Sequence, residues 1–143
     1  MSSKKGANMK KMEFQKFAYS EVSKLFLSSF MQGKVKKYTS EAKGDRQKIK
    51  FEPVYQRSLA IYFYSSGKIH IYQKGDFEQN AENVYYEWQG DSDYKDVVAA
   101  LVKDLKEFFK RLNDDFEFSE EWAHDGFCDF AYETSKHRKS FPN

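Results

Sequence analysis

The sequence predicts an α+β domain: a four-stranded antiparallel β-meander flanked by an N-terminal helix and a long C-terminal helix. Three observations carry this expectation. Apolar residues recur at intervals of three and four before residue 32 and again after residue 93. Between Lys48 and Trp88 they recur at intervals of two. The links between the period-two runs are short, so successive strands fold back on one another; the helical crossovers that a parallel sheet requires are missing.

Residues 1–11 read as a flexible basic arm and residues 12–143 as a single domain. From Met12 to Met31 the residues Phe14, Phe17, Ala18, Val22, Leu25, Phe26 and Phe30 mark one face of an amphipathic helix, which Gly33 can end in the left-handed conformation. The polar segment Lys34 to Arg46 is expected to be a loop, with Gly44-Asp45 as a turn. Four strands follow. Ile49, Phe51 and Tyr55 alternate with charged residues; Leu59, Ile61 and Phe63 alternate with Ala60, Tyr62 and Tyr64; Ile69 and Ile71 alternate with His70 and Tyr72; Val84, Tyr86 and Trp88 alternate with Tyr85 and Glu87. Pro53 cannot donate to a ladder, so the first of these strands should lie at an edge or carry a bulge there.

The loop Ser65-Ser66-Gly67 fixes which side chains share a face. A two-residue loop would mix aliphatic and polar-tipped residues on both faces. A three-residue loop with Gly67 left-handed sets Phe63 opposite Ile69, Ile61 opposite Ile71 and Tyr62 opposite His70. That register separates a dry face of Leu59, Ile61, Phe63, Ile69 and Ile71 from a face of Tyr62, Tyr64, His70 and Tyr72, whose tips tolerate water. Asp91, Ser92 and Asp93 then supply cap oxygens for a helix carrying Val97, Val98, Leu101, Val102, Leu105, Phe108, Phe109 and Leu112 as far as Asn113. Beyond it a short helix is expected near Ser119 to His124, and Phe127 to Tyr132 fits either period.

With 143 residues and 17.0 kDa the chain has room for one core, and its 14 Phe, 10 Tyr and 2 Trp supply the large apolar surface that core needs. No apolar run approaches the roughly 18 residues of a membrane span. The lone Cys128 cannot close an internal disulfide, and Met1-Ser2-Ser3-Lys4-Lys5 lacks the apolar centre of a secretory signal, so the cytoplasm is the expected compartment. Neither G-x-G-x-x-G nor G-x-x-x-x-G-K-[ST] occurs, which removes the usual footing of dinucleotide redox chemistry and nucleotide hydrolysis; no cofactor is expected.

Charge is divided along the chain. Residues 1–50 carry 13 basic and 4 acidic side chains, a net of +9, while residues 51–143 carry 11 and 18, a net of -7. Segregation of this kind is unnecessary for stability and raises the probability of a charged partner, unless the two halves neutralise each other in the fold.

Three constellations compete for function. Acidic and aromatic residues of the C-terminal half, Tyr85, Trp88, Asp114, Asp115, Glu117, Glu120, Glu121 and Trp122, could steer and hold a basic protein partner. Basic and aromatic residues, Lys34, Lys36, Lys37, Lys48 and Lys50 with Tyr62, Tyr64, His70 and Tyr72, have the chemistry of single-stranded nucleic-acid binding, in which cations follow phosphates and rings stack on bases; Tyr38 and Arg46 lie among them. Glu120, His124 and Cys128 are spaced by four, as ligands or a thiol and its base would be on a helix, but Gly126 weakens that helix and a buried structural Cys128 is the expectation; no metal and no catalytic residue is assigned.

In layout alone, a small α+β chain with an acidic face resembles inhibitor or immunity proteins that block a toxin or nuclease. A four-stranded sheet followed by a helix is similar to single-strand-binding modules of the Whirly type. Neither resemblance rests on a motif, and neither assigns a residue. The first expectation is therefore a non-enzymatic interaction protein that docks through its acidic, aromatic C-terminal surface. The alternatives are the nucleic-acid-binding module and an enzyme built on His124 and Cys128.

Overall fold

Alternating burial along the middle of the chain builds the sheet. The computed structural model describes residues 2–53, 58–73, 82–115, 117–120, 126–128, 130–131 and 138–139. The elements are α1 (Ser2–Phe26), β1 (Val35–Lys43), β2 (Arg46–Pro53), β3 (Leu59–Tyr64), β4 (Lys68–Gln73), β5 (Glu82–Glu87), α2 (Tyr94–Asp114) and a two-residue β6 (Arg138–Lys139). Each strand pairs antiparallel with the next, so five strands form a meander and β6 extends it at the β5 edge.

The β3–β4 loop has three residues, and it sets Phe63 opposite Ile69, Ile61 opposite Ile71 and Tyr62 opposite His70, as the sequence predicts. Gly67 has φ 93°, and its carbonyl accepts the Trp88 backbone N–H at 2.9 Å. A side chain there would meet two obstacles, the positive φ and the Trp88 carbonyl oxygen, which would stand 2.9 Å from a Cβ.

One face of the sheet is dry. Ile49, Phe51, Leu59, Ile61, Phe63, Ile69, Ile71, Val84 and Tyr86 point to it, and both helices pack there with Phe14, Ala18, Val22 and Leu25 of α1 and Val98, Leu101, Leu105, Phe108 and Phe109 of α2. Ring contacts tie the layers: Phe26 lies 4.1 Å from Phe51, and Phe51 lies 5.9 Å from Phe109. Two polar links are buried within this packing. Gln15 donates from Nε2 to the backbone oxygens of Asp45 at 2.9 Å and Phe63 at 2.7 Å, pinning α1 to the sheet, and Tyr86 donates its hydroxyl to Asp104 at 2.7 Å, pinning β5 to α2.

Two expectations need correction. The segment Lys34 to Arg46 is not a loop: Val35–Lys43 forms an edge strand along the whole of β2, joined by the two-residue turn Gly44-Asp45 with Gly44 at φ 63°. Most of its side chains are exposed, so it is held by backbone pairing and leaves no apolar alternation to read. The first helix ends earlier than Met31: α1 stops at Phe26, and Ser29–Met31 is a separate 3-10 turn. It starts at Ser2, within the lysine-rich stretch. Pro53 stands in β2, opposite a register irregularity between Val35 and Lys37, the bulge that its missing donor calls for. Tyr55 lies outside the described residues. Past α2, residues 117–120 are helical, capped by Asp115, whose Oδ1 accepts the Phe118 N–H at 3.0 Å; residues 126–128 and 130–131 are helical too.

Candidate functional site

The period of two that buries one face sends the intervening residues to the other, where neither α1 nor α2 packs. Register places Lys37, Thr39, Glu41 and Lys43 of β1 beside Glu52, Lys50, Lys48 and Arg46 of β2, and then Ala60, Tyr62 and Tyr64 of β3. Lys68, His70 and Tyr72 of β4 follow, opposite Glu87, Tyr85 and Asn83 of β5. The backbone of Lys139 pairs with Tyr85 at the far edge. The face thus presents cations on β1 and β2 and rings on β3, β4 and β5.

The rings form one continuous cluster. Tyr62 and Tyr64 lie 6.2 Å apart with planes 20° from parallel, Tyr62 meets Tyr72 edge-on at 5.6 Å, Tyr64 meets His70 at 4.9 Å, and His70 meets Tyr85 at 5.7 Å. All five are half-buried, and the Tyr72 hydroxyl lies 3.5 Å from His70 Nδ1. Cations converge on their border: the Arg46 guanidinium lies 5.1 Å and the Lys48 ammonium 5.2 Å from the Tyr62 ring centre, and Lys68 lies 5.9 Å from that of Tyr85.

Burial favours the neutral forms of His70 and Tyr72. Burial, and secondarily the Lys68 charge, lowers the His70 pKa below its ordinary 6.5, so the imidazole is uncharged at pH 7. Burial followed by the neighbouring Tyr64 and Tyr62 raises the Tyr72 phenol above 10.0, so it keeps its proton. Charge on this face comes from Lys37, Lys43, Arg46, Lys48, Lys50 and Lys68, set against Glu41, Glu52 and Glu87. Lys48 reaches Glu41 only at 4.0 Å and Lys68 reaches Glu87 at 3.8 Å; among the described residues Lys37, Lys43, Arg46 and Lys50 take part in no ion pair.

Not every basic residue singled out in the sequence joins this face. Lys34 donates to the Phe30 carbonyl at 2.5 Å and caps the Phe30 ring, committing it to the 3-10 turn after α1. Lys36 is the extra residue at the β1 bulge and has no partner position in the ladder. Tyr38 packs inward, 5.9 Å from Phe26. Lys37, Lys48, Lys50, Tyr62, Tyr64, His70 and Tyr72 do come together, and the fold adds Lys43, Lys68 and Tyr85. Lys68 is legible two positions before His70, while the pairing of Tyr85 with His70 spans the polar link from Gln73 to Glu82, which sets no register by itself.

The acidic, aromatic constellation is dispersed. Trp88 is 4% exposed, 6.1 Å from Phe14, with its indole N–H on the Ser92 carbonyl at 2.8 Å, so it is a core ring and offers no surface. Tyr85 belongs to the tyrosine face, across the sheet from α2. Asp114, Asp115, Glu117 and Glu120 remain exposed together at and past the end of α2; Glu121, Trp122 and His124 lie outside the described residues. Cys128 is buried: its N–H donates to Gln73 Oε1 at 3.2 Å and its thiol lies 3.7 Å from the Ile71 carbonyl oxygen, the environment of a structural cysteine. Among the described residues no three His, Cys, Asp or Glu side chains are grouped to hold a metal. No described helix is long and apolar enough to cross a membrane.

Comparison with protein-family models, curated proteins and solved structures finds no match to this chain.

Proposed function

We propose that this protein binds single-stranded nucleic acid on the tyrosine face of its sheet. The observation that carries the proposal is the near-parallel pair Tyr62 and Tyr64, with Arg46 and Lys48 bordering Tyr62, on the face opposite both helices. Unpaired bases stack on aromatic rings whatever their identity, and each stacked base is worth about 1–3 kcal/mol. Phosphates of the same strand meet Lys37, Lys43, Arg46 and Lys50, none of them neutralised by an ion pair among the described residues. Duplex DNA hides its base faces and fits this platform poorly. A basic-protein partner on the acidic surface past α2 is supported less well, because Trp88 and Tyr85 are not there to anchor it.

Fluorescence anisotropy with labelled dT12 and U12 at two salt concentrations tests the proposal. Binding should weaken steeply with salt, since displaced counterions drive it, and Tyr62→Ala should weaken it at every salt concentration. No binding at low salt, or binding indifferent to both tyrosines, would exclude the tyrosine face as a nucleic-acid site.

A further inference from the structure

A second surface lies on the far side of the molecule. Along the outside of the helical layer, α1 and α2 leave a groove of about 1030 Å³ floored by Phe17, Leu25, Phe30, Val98, Ala99 and Val102. Its walls are lysines: Lys24 on α1 and Lys95, Lys103, Lys106 and Lys110 on α2, against Glu21 and Glu107. Glu21 already pairs with Lys24 at 3.5 Å, so four lysines of α2 face a single further carboxylate.

We infer that this groove is a docking site for an acidic amphipathic helix of a protein partner. Its lining on α2 recurs every three or four residues from Lys95 to Lys110, which at 1.5 Å per residue makes a track about 22 Å long, the length of a four-turn helix. The exposed Ala99 stands on this track, where a small side chain permits close approach of a third helix axis. An aliphatic and phenyl floor selects an apolar stripe, and the lysine walls select carboxylates on its two flanks. A nucleic-acid strand has the charge but no aliphatic stripe for the floor. The groove and the tyrosine face lie on opposite sides of the sheet, so this inference stands independently of the nucleic-acid proposal.

Three labelled synthetic 18-residue peptides provide the probe: leucines at helical spacing flanked by glutamates, the same peptide with lysines in place of the glutamates, and a scramble of the first. The glutamate peptide should bind the full-length protein at least about tenfold more tightly than either control, a difference of roughly 1.4 kcal/mol. The double variant Lys103→Glu, Lys106→Glu, whose side chains are exposed and whose fold is checked by its melting curve, should reverse the preference between the two charged peptides. Binding of dodecanoate in the groove while the glutamate peptide fails to bind would overturn the inference in favour of a small amphiphile. Equal binding of the three peptides would overturn it as well. So would a double variant that loses dT12 affinity and keeps peptide affinity, because the lysines would then serve the nucleic acid.

Discussion

At the scale of single residues, side-chain periodicity decides both packing and chemistry. Tyr62 and Tyr64 face away from the helices because Ile61 and Phe63 face the core, so the rings can be truncated without opening a cavity. Tyr62→Ala and Tyr64→Ala should each weaken dT12 binding by about 1–3 kcal/mol, measured by anisotropy, while shifting the melting temperature little. Gly67→Ala acts the other way: its positive φ and the nearby Trp88 carbonyl should cost about 1–3 kcal/mol in denaturant unfolding with no direct effect on the binding face. Gly126 is similarly confined, since a Cβ at its φ of 85° would overlap the buried Gln73 carboxamide. His70 sets a pH dependence. Its native pKa lies below the unfolded value of 6.5, so the unfolded chain takes up the proton first; stability is complete above about pH 6.5 and declines as pH falls through that value toward the native one. His70→Gln should flatten this decline in thermal melts between pH 7.5 and 5. Trp88 has the chemistry of a surface anchor, yet its spacing from Val84 and Tyr86 puts it with the core, and periodicity outweighs chemistry there.

Elements are legible in the sequence where burial imprints a period. β3, β4 and α2 follow their apolar residues closely, and the turn residue Gly67 is enough to set the β3–β4 register. β1 escapes such a reading for a physical reason: an edge strand with most side chains in water is specified by the backbone donors and acceptors of β2, which no side-chain pattern records. The candidate site follows suit. The tyrosine face is visible from period two, but its cationic border on Lys37 and Lys43 depends on β1 being a strand. The attachment of α1 depends on Gln15, whose two backbone acceptors lie far away in sequence. Gln15→Leu should lower stability by about 1–3 kcal/mol in urea unfolding, because it leaves a buried carbonyl without its donor.

At the scale of the molecule, the divided charge is not paired off among the described residues. None of the ion pairs among the described residues joins residues 1–50 to residues 51–143: Lys24 pairs with Glu21, Lys48 with Glu41, and Lys68 with Glu87. The cations of the β1 and β2 border lie on the sheet face away from α2, and the carboxylates Asp114, Asp115, Glu117 and Glu120 are exposed at and past the end of α2. Reversing the border with Lys43→Glu and Lys50→Glu should reduce dT12 affinity and lower the slope of log affinity against log salt by roughly 0.7 for each phosphate that is no longer neutralised. The most direct measurement is backbone amide NMR of the labelled protein titrated with dT12. Shifts should concentrate on β2, β3 and β4 around Lys48, Tyr62, Tyr64 and His70. Shifts confined to α2 and residues 117–120, or none at all, would contradict a nucleic-acid site on the sheet.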